Sequence, residues 1–189
     1  MRDRFDIVLA CDLAGGIGKD NALPWKLSTD LKYFRDLTTS TPVPNVLNAV
    51  VMGRKTWESL PPAARPLKGR INVVITRNPD YVMPEGHFAV DSLDAALDLL
   101  VQGPVDRVFV IGGAQIFDEA LKHERLGFLY LTEIRAHFDC DTYLPDYRPF
   151  LQLMSCSEVM HENDIDFVFK VYQLNVPDYF DPQYLNLNT

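Results

Sequence analysis

The sequence predicts an α/β protein: a mostly parallel central sheet flanked by helices, with an antiparallel hairpin at its C-terminal edge. Three observations carry that prediction. Short runs of consecutive apolar residues, among them Ala49–Met52 and Val108–Ile111, suit strands buried on both faces, as in a parallel sheet covered by helices. These runs alternate with helical patterns over most of the chain. The last two apolar segments, about Gln152–Val159 and Asp166–Leu174, are separated only by the polar HENDID, which suits an antiparallel pair. The 189 residues, 47% hydrophobic and 23% charged, suit one domain with a sizeable core. That domain is expected over 1–175, with 176–189 a tail or the start of a linker.

Taken in order, Phe5–Cys11 is the first strand. Asp12–Lys26, with Gly15, Gly16, Gly18 and Pro24, reads as one long loop; in a compact domain such a loop is more often functional than idle. Gly16-Ile17-Gly18 begins like a dinucleotide fingerprint, but Asn21 replaces the third glycine and Pro24 follows in place of a helix. A glycine-hinged lid is the better reading. Ser28 is the expected N-cap of a helix over about Thr29–Leu37, with Leu27, Leu31 and Phe34 at helical spacing. After a loop carrying Pro42 and Pro44, Ala49–Met52 is the second strand, ended by Gly53 and followed by the short helix RKTWESL. Pro61, Pro62 and Pro66 close that unit, Ile71–Thr76 is a third strand, and His87–Val90 is a short fourth. Ser92 caps a helix whose Leu93, Ala96, Leu97 and Leu100 form one apolar stripe. Val108–Ile111 ends in Gly112-Gly113, with a helix beginning near Ala114; Phe128–Thr132 and a turn-rich stretch ending in DTYLPDY lead to the hairpin.

Charge and cysteines narrow the function. A net charge of −8 argues against a broad nucleic-acid or acidic-membrane surface, so an anionic ligand would need a local basic pocket. Cys11, Cys140 and Cys156 are odd in number, with no CxxC spacing, and are expected as free thiols in a reducing compartment. The opening apolar stretch is short for a secretory signal, and no span is long enough to cross a membrane. A soluble, cytoplasmic protein is expected. No metal is expected: the histidines lack an HExxH spacing, and His137, Asp139, Cys140 and Asp141 read as a solvated turn.

The chemistry gathers at strand ends. Gly112 and Gly113 let the backbone turn and let a ligand approach, while the following helix start points its free N–H groups into the same crevice. Gly53 followed by Arg54, Lys55 and Thr56 repeats that logic, and Arg77 follows Thr76 in the same way. Cations at helix starts oppose the dipole, so they point to an anionic ligand, best read as a phosphorylated cofactor. Asp30 lies in a first helical turn yet shares an apolar face with Leu27 and Phe34. It reads either as a dipole-favoured carboxylate or as one acid at the floor of an apolar pocket, gripping paired N–H donors. Trp25 beside it is either a pocket wall or core.

With these residues in view, the chain resembles the dihydrofolate reductase family. The matching segments are IGKDNALPW (Ile17–Trp25), DLKYF (Asp30–Phe34), VMGRKTWESL (Val51–Leu60), RPLKGRINVVITR (Arg65–Arg77), VIGGAQIF (Val110–Phe117), YLTEI (Tyr130–Ile134) and DTYLPDY (Asp141–Tyr147). They stand in family order over about Asp6–Leu174. The resemblance implies hydride transfer from NADPH to C6 of dihydrofolate with protonation at N5, and binding of antifolates such as methotrexate. It implies that Asp30 grips the 2-amino group and N3 of the pterin and, with a water near Trp25, supports protonation. Val8, Leu9, Leu31, Phe34, Leu60 and Ile111 match the pterin and aminobenzoyl pocket, Thr132 stands behind Asp30, and Arg70 matches the clamp for the α-carboxylate. Gly53, Arg54, Lys55, Thr56, Thr76 and Arg77 match cofactor-phosphate positions. Ala10, Ile17 and the turn Gly112, Gly113, Ala114, Gln115, Ile116 and Phe117 match nicotinamide and pyrophosphate positions. The family's cis bonds are expected at Gly112-Gly113 and before Pro66.

Phe117 stands where many members have Tyr, and Asp30 is the shorter acid of bacterial members. QYLNL (Gln183–Leu187) resembles the opening of thymidylate synthase, which implies a reductase domain followed by a synthase, as in bifunctional protozoal enzymes. Two alternatives stay open: a reductase of another heterocycle, which Asp30 and Arg70 together oppose, and a nucleotide-binding module without turnover.

Overall fold

The order in which the strands pair decides where a ligand can sit. The computed structural model describes residues 4–174, and the predicted tail lies outside them. In chain order the elements are β1 (Phe5–Cys11), β2 (Gly16–Gly18), α1 (Ser28–Thr39), β3 (Leu47–Gly53), α2 (Arg54–Ser59), β4 (Arg70–Ile75), β5 (Phe88–Val90) and α3 (Leu93–Val101). They continue with β6 (Val105–Gly112), α4 (Ala114–Leu121), β7 (Leu126–Ile134), β8 (Thr142–Tyr143), β9 (Leu151–Cys156), β10 (Met160–Glu162) and β11 (Ile165–Leu174). The main sheet runs β10-β11-β7-β1-β6-β3-β4-β5, with β9 also paired to β11. From β7 to β5 every pairing is parallel, and the antiparallel ladders are those of β11 with β7, β9 and β10. The predicted fold class is the observed one.

The parallel strands are apolar on both faces because helices cover both. Phe5, Ile7 and Cys11 of β1 pack on one side with Leu97 and Leu100 of α3 and Ala120 and Leu121 of α4. Val8, one residue out of phase, packs on the other side with Val50, Met52, Val74 and Phe109, against Phe34 of α1 and Trp57 of α2. Full burial of one such side chain contributes roughly 1.5–3 kcal/mol. The α3 stripe behaves as read: Leu93, Ala96, Leu97 and Leu100 are all buried, and Ser92 Oγ accepts from Ala95 N at 3.2 Å.

Three local expectations change. Ser28 does not cap α1. It lies inside the helix, Leu27 occupies the cap position, and the acceptor is the Glu162 carboxylate from β10, which takes the N–H groups of Ser28 (2.6 Å) and Thr29 (2.9 Å). Residues 12–26 are not wholly loop, because β2 within them pairs with β8. The close approach explains a glycine: a Cβ on Gly16 would come within 2.5 Å of Cys140 Sγ. Buried Asp12 fastens both sides, accepting from Gly16 N at 2.7 Å and Phe138 N at 2.9 Å. Finally, the first arm of the C-terminal hairpin breaks into β9 and β10 at residues 157–159. Its tight turn is Asn163-Asp164, with φ of 52° and 59°, the left-handed pair that a two-residue hairpin connection requires.

Candidate active site

Parallel strands deliver all their carboxyl ends to one edge, and there a cavity of about 1300 Å³ opens between the sheet, α1, α2 and the start of α4. Every residue that the resemblance assigns to substrate or cofactor lines it except Trp25 and Arg70. β1 brings Val8, Leu9 and Ala10, the chain beyond β4 brings Thr76 and Arg77, and β6 brings Ile111 and Gly112. Ile17 of β2 reaches it from the loop side.

Asp30 sits at its floor, 7% exposed, in the first turn of α1. Thr132, across the sheet from Ala10 on β7, donates its hydroxyl to Asp30 Oδ1 at 2.6 Å. Burial pushes the Asp30 carboxyl above its ordinary range, the Thr132 bond works the other way, and the Glu162 charge pushes it up again. A carboxylate kept in an apolar wall with oxygens left to accept suits a ligand edge that donates in pairs.

Trp25 is core. It packs edge-to-face on Phe138, ring centroids 5.3 Å apart, in a cluster with Leu27, Ile134, Cys140 and Phe167. Its indole Nε1–H is buried without a partner among the described residues, so a polar group such as water would be held there at a gain. Arg70 is 6% exposed; it donates to Thr38 Oγ1 at 2.7 Å and Lys68 O at 3.1 Å, and lies 5.7 Å from the Phe34 ring centre. Burial, with Arg35 nearby, pushes its pKa down. Among the described residues no acid pairs with it. A buried guanidinium behind a cavity wall with no counter-charge suits an anionic ligand group, since burying an unpaired charge is otherwise costly.

The opposite end of the cavity is built for anions. The N-caps of α2 and α4 are Gly53 and Gly113, neither helix has a side-chain cap, and neither carries an acid in its first turn. Their free N–H groups open where Arg54, Lys55 and Arg77 stand. Arg54 pairs with Glu58 at 3.2 Å, whereas Lys55 and Arg77 have no acidic partner among the described residues. Thr56 packs on the glycine turn so closely that a Cβ on Gly113 would lie 3.1 Å from its Oγ1. Gly112 has φ of +130°, which a side chain would strain, and the peptides Gly112-Gly113 and Arg65-Pro66 are both cis.

Sequence reasoning gave no role to several lining residues. Tyr33, Leu67, Asn78 and Tyr81 belong to the cavity wall. Leu67 is held by buried Asn72, which accepts from Leu67 N at 2.9 Å and donates to Leu67 O at 3.1 Å. The available signal was one asparagine inside the apolar run INVVI. The His137–Asp141 stretch fastens the 12–26 loop: Asp139 pairs with Lys19, and Asp141 accepts from Asp20 N at 2.9 Å.

Fold and cavity together define a protein with a mostly parallel sheet and a cavity across the carboxyl ends of its parallel strands, an acid at one end and cations beside two helix starts at the other. Residues 4–174 match the family model described as dihydrofolate reductase. The chain belongs to that family. It is 45% identical over 179 residues to a bifunctional dihydrofolate reductase-thymidylate synthase of Arabidopsis thaliana, covering 89% of this chain and 34% of that protein. A dihydrofolate reductase of Heliothis virescens is 38% identical, with 88% and 95% covered. The solved dihydrofolate reductase of Schistosoma mansoni superposes with a TM-score of 0.79 at 39% identity, covering 90% of this chain and 98% of that one. The chain thus spans about a third of the length of the bifunctional plant relatives it matches, 28% to 34% of each.

Proposed function

We propose that this chain reduces 7,8-dihydrofolate to 5,6,7,8-tetrahydrofolate at the expense of NADPH and a proton. One observation carries the reading: a single cavity joins the buried Asp30–Thr132 pair to an anion cradle of uncapped helix ends with Lys55 and Arg77. The cradle fits a dinucleotide carrying an extra phosphate, and Gly53, Gly112 and Gly113 let its backbone approach. Bound there, NADPH supplies the hydride that reaches C6 of the pterin. The remaining work belongs to the protein. Asp30 accepts the 2-amino and N3 hydrogens and fixes the ring plane; Val8, Phe34, Leu60 and Ile111 wall it and exclude water. The Trp25 N–H, without a partner among the described residues, holds a water on the proton path to N5. Arg70 takes the carboxylate tail in bidentate fashion, reached past Phe34.

Methotrexate would occupy the same pocket. The free cysteines Cys11, Cys140 and Cys156 support a reducing, cytoplasmic setting. The resemblance at Gln183–Leu187 and the bifunctional relatives support a thymidylate synthase following in the native chain, which sequencing of the native transcript tests.

The test of function is NADPH absorbance with and without dihydrofolate. Substrate-dependent oxidation stopped by near-stoichiometric methotrexate is expected. NADPH binding without oxidation would overturn the reading in favour of a silent nucleotide-binding module.

A further inference from the structure

Glu162 stands at the end of β10, yet its carboxylate closes the start of α1, from which Asp30 projects. It accepts Ser28 N and Ser28 Oγ at 2.6 Å each and Thr29 N at 2.9 Å. The next residue fixes the approach from the other side, since Asn163 Nδ2 donates to Lys26 O at 2.8 Å. The hairpin is therefore bolted to the helix that carries the pocket acid. A helix start places about half a positive charge beside its first turn, which would favour an ionised Asp30. Glu162 sets a full negative charge on that same point.

We propose that Glu162 is a positioning residue for Asp30: it pins the first turn of α1 and, by cancelling the positive helix end, makes the Asp30 carboxyl hold its proton more tightly. The inference rests on Asp30 being the pocket acid proposed above. Other charged groups around the pair do not duplicate this role. Lys32 turns to Asp36 on the exposed side of α1, Glu133 of β7 pairs with Lys170 of β11, and His161 pairs with Asp166 at 2.8 Å on the hairpin. Tyr33 is neutral and half-buried, with its phenol pushed up chiefly by burial. The three hydrogen bonds hold Glu162 down to about 2, Ser28's being the largest influence, so it stays charged wherever Asp30 titrates. Its charge acts on Asp30 in the upward direction.

The test is Glu162→Gln, which keeps size and an acceptor oxygen but removes the charge. The Asp30 titration is read by carboxyl ¹³C NMR, assigned by its loss in Asp30→Asn, and needs no turnover. The midpoint is expected to fall by on the order of 0.5 pH unit, the size of a helix-end charge effect. The limb of the turnover pH profile that Asp30 governs is expected to move to lower pH by the same amount. Glu162→Asp, which retains the charge, and Asp166→Asn, which removes a nearby charge that does not touch α1, should both keep the parental midpoint. An unchanged or higher midpoint in Glu162→Gln, or an equal fall in either control, would overturn the proposal. A protein that shows these midpoints but no NADPH oxidation would sink the reductase reading and leave the coupling standing.

Discussion

Thr132→Val tests the site most directly, because it deletes one hydroxyl and keeps the shape. In the parent that hydroxyl donates to Asp30 Oδ1 at 2.6 Å, Thr132 is 2% exposed, and Asp30 is 7% exposed. Water cannot freely replace the donor at that depth. A hydrogen bond to a charged group contributes about 1.5–3 kcal/mol, and 1.36 kcal/mol corresponds to one pH unit. The Asp30 midpoint should therefore rise by roughly 1–2 units, in the direction burial already drives it. The stability consequence has a defined sign. Raising the folded-state pKa further above the unfolded value weakens the fold where Asp30 is ionised and leaves it unaffected below about pH 3.8. At neutral pH the loss of about 1.5–3 kcal/mol should lower Tm by roughly 3–12 °C, at about 2–4 °C per kcal/mol for a domain of this size. Carboxyl NMR and thermal melts at pH 7 and pH 3.5 measure both. A midpoint that stays put, or a Tm loss equal at the two pH values, would refute the claim that Thr132 acts through the Asp30 charge.

Asp30→Asn should fold, bind NADPH and lose most turnover near neutral pH. Because burial raises the Asp30 pKa, removing that charge should not lower Tm at pH 7; near-parental activity would take Asp30 out of the mechanism. Arg70→Lys loses the planar fork and should weaken dihydrofolate about tenfold or more while leaving a dihydropterin without the carboxylate tail unaffected. Equal effects on both substrates would refute the clamp. His87 Nδ1 accepts from Asn72 N at 3.0 Å, and burial lowers its pKa. The unfolded chain takes up that proton first, so stability should drop as pH falls below about 6.5. Urea midpoints of the parent and His87→Gln between pH 5 and pH 7.5 check this, and parallel curves would refute it.

Where the structure departs from the sequence-based expectation, the cause is a partner distant in the chain. Ser28 reads as the cap of α1 but is its first residue, and the acceptor is Glu162, which the fold returns from 134 residues away. The 12–26 segment reads as loop because Gly16 and Gly18 carry no strand signal, and only the approach of Thr142 and Tyr143 makes them one. Arg70 and Trp25 are recognisable by resemblance, but that they stand behind the cavity wall follows from how α1 and the 136–140 stretch pack.

Local sequence was enough for the α/β class, most of the strands and helices, and the glycine-ended strands that mark the candidate ligand edge. These depend on apolar runs, caps and turn residues, all interactions between near neighbours in the chain. The folded chain alone shows that Thr132 reaches Asp30, that Glu162 closes the start of its helix, and that Asn72 holds Leu67 in the wall. Those bonds depend on strand order and helix placement, which bring together groups whose local sequence carries no trace of one another.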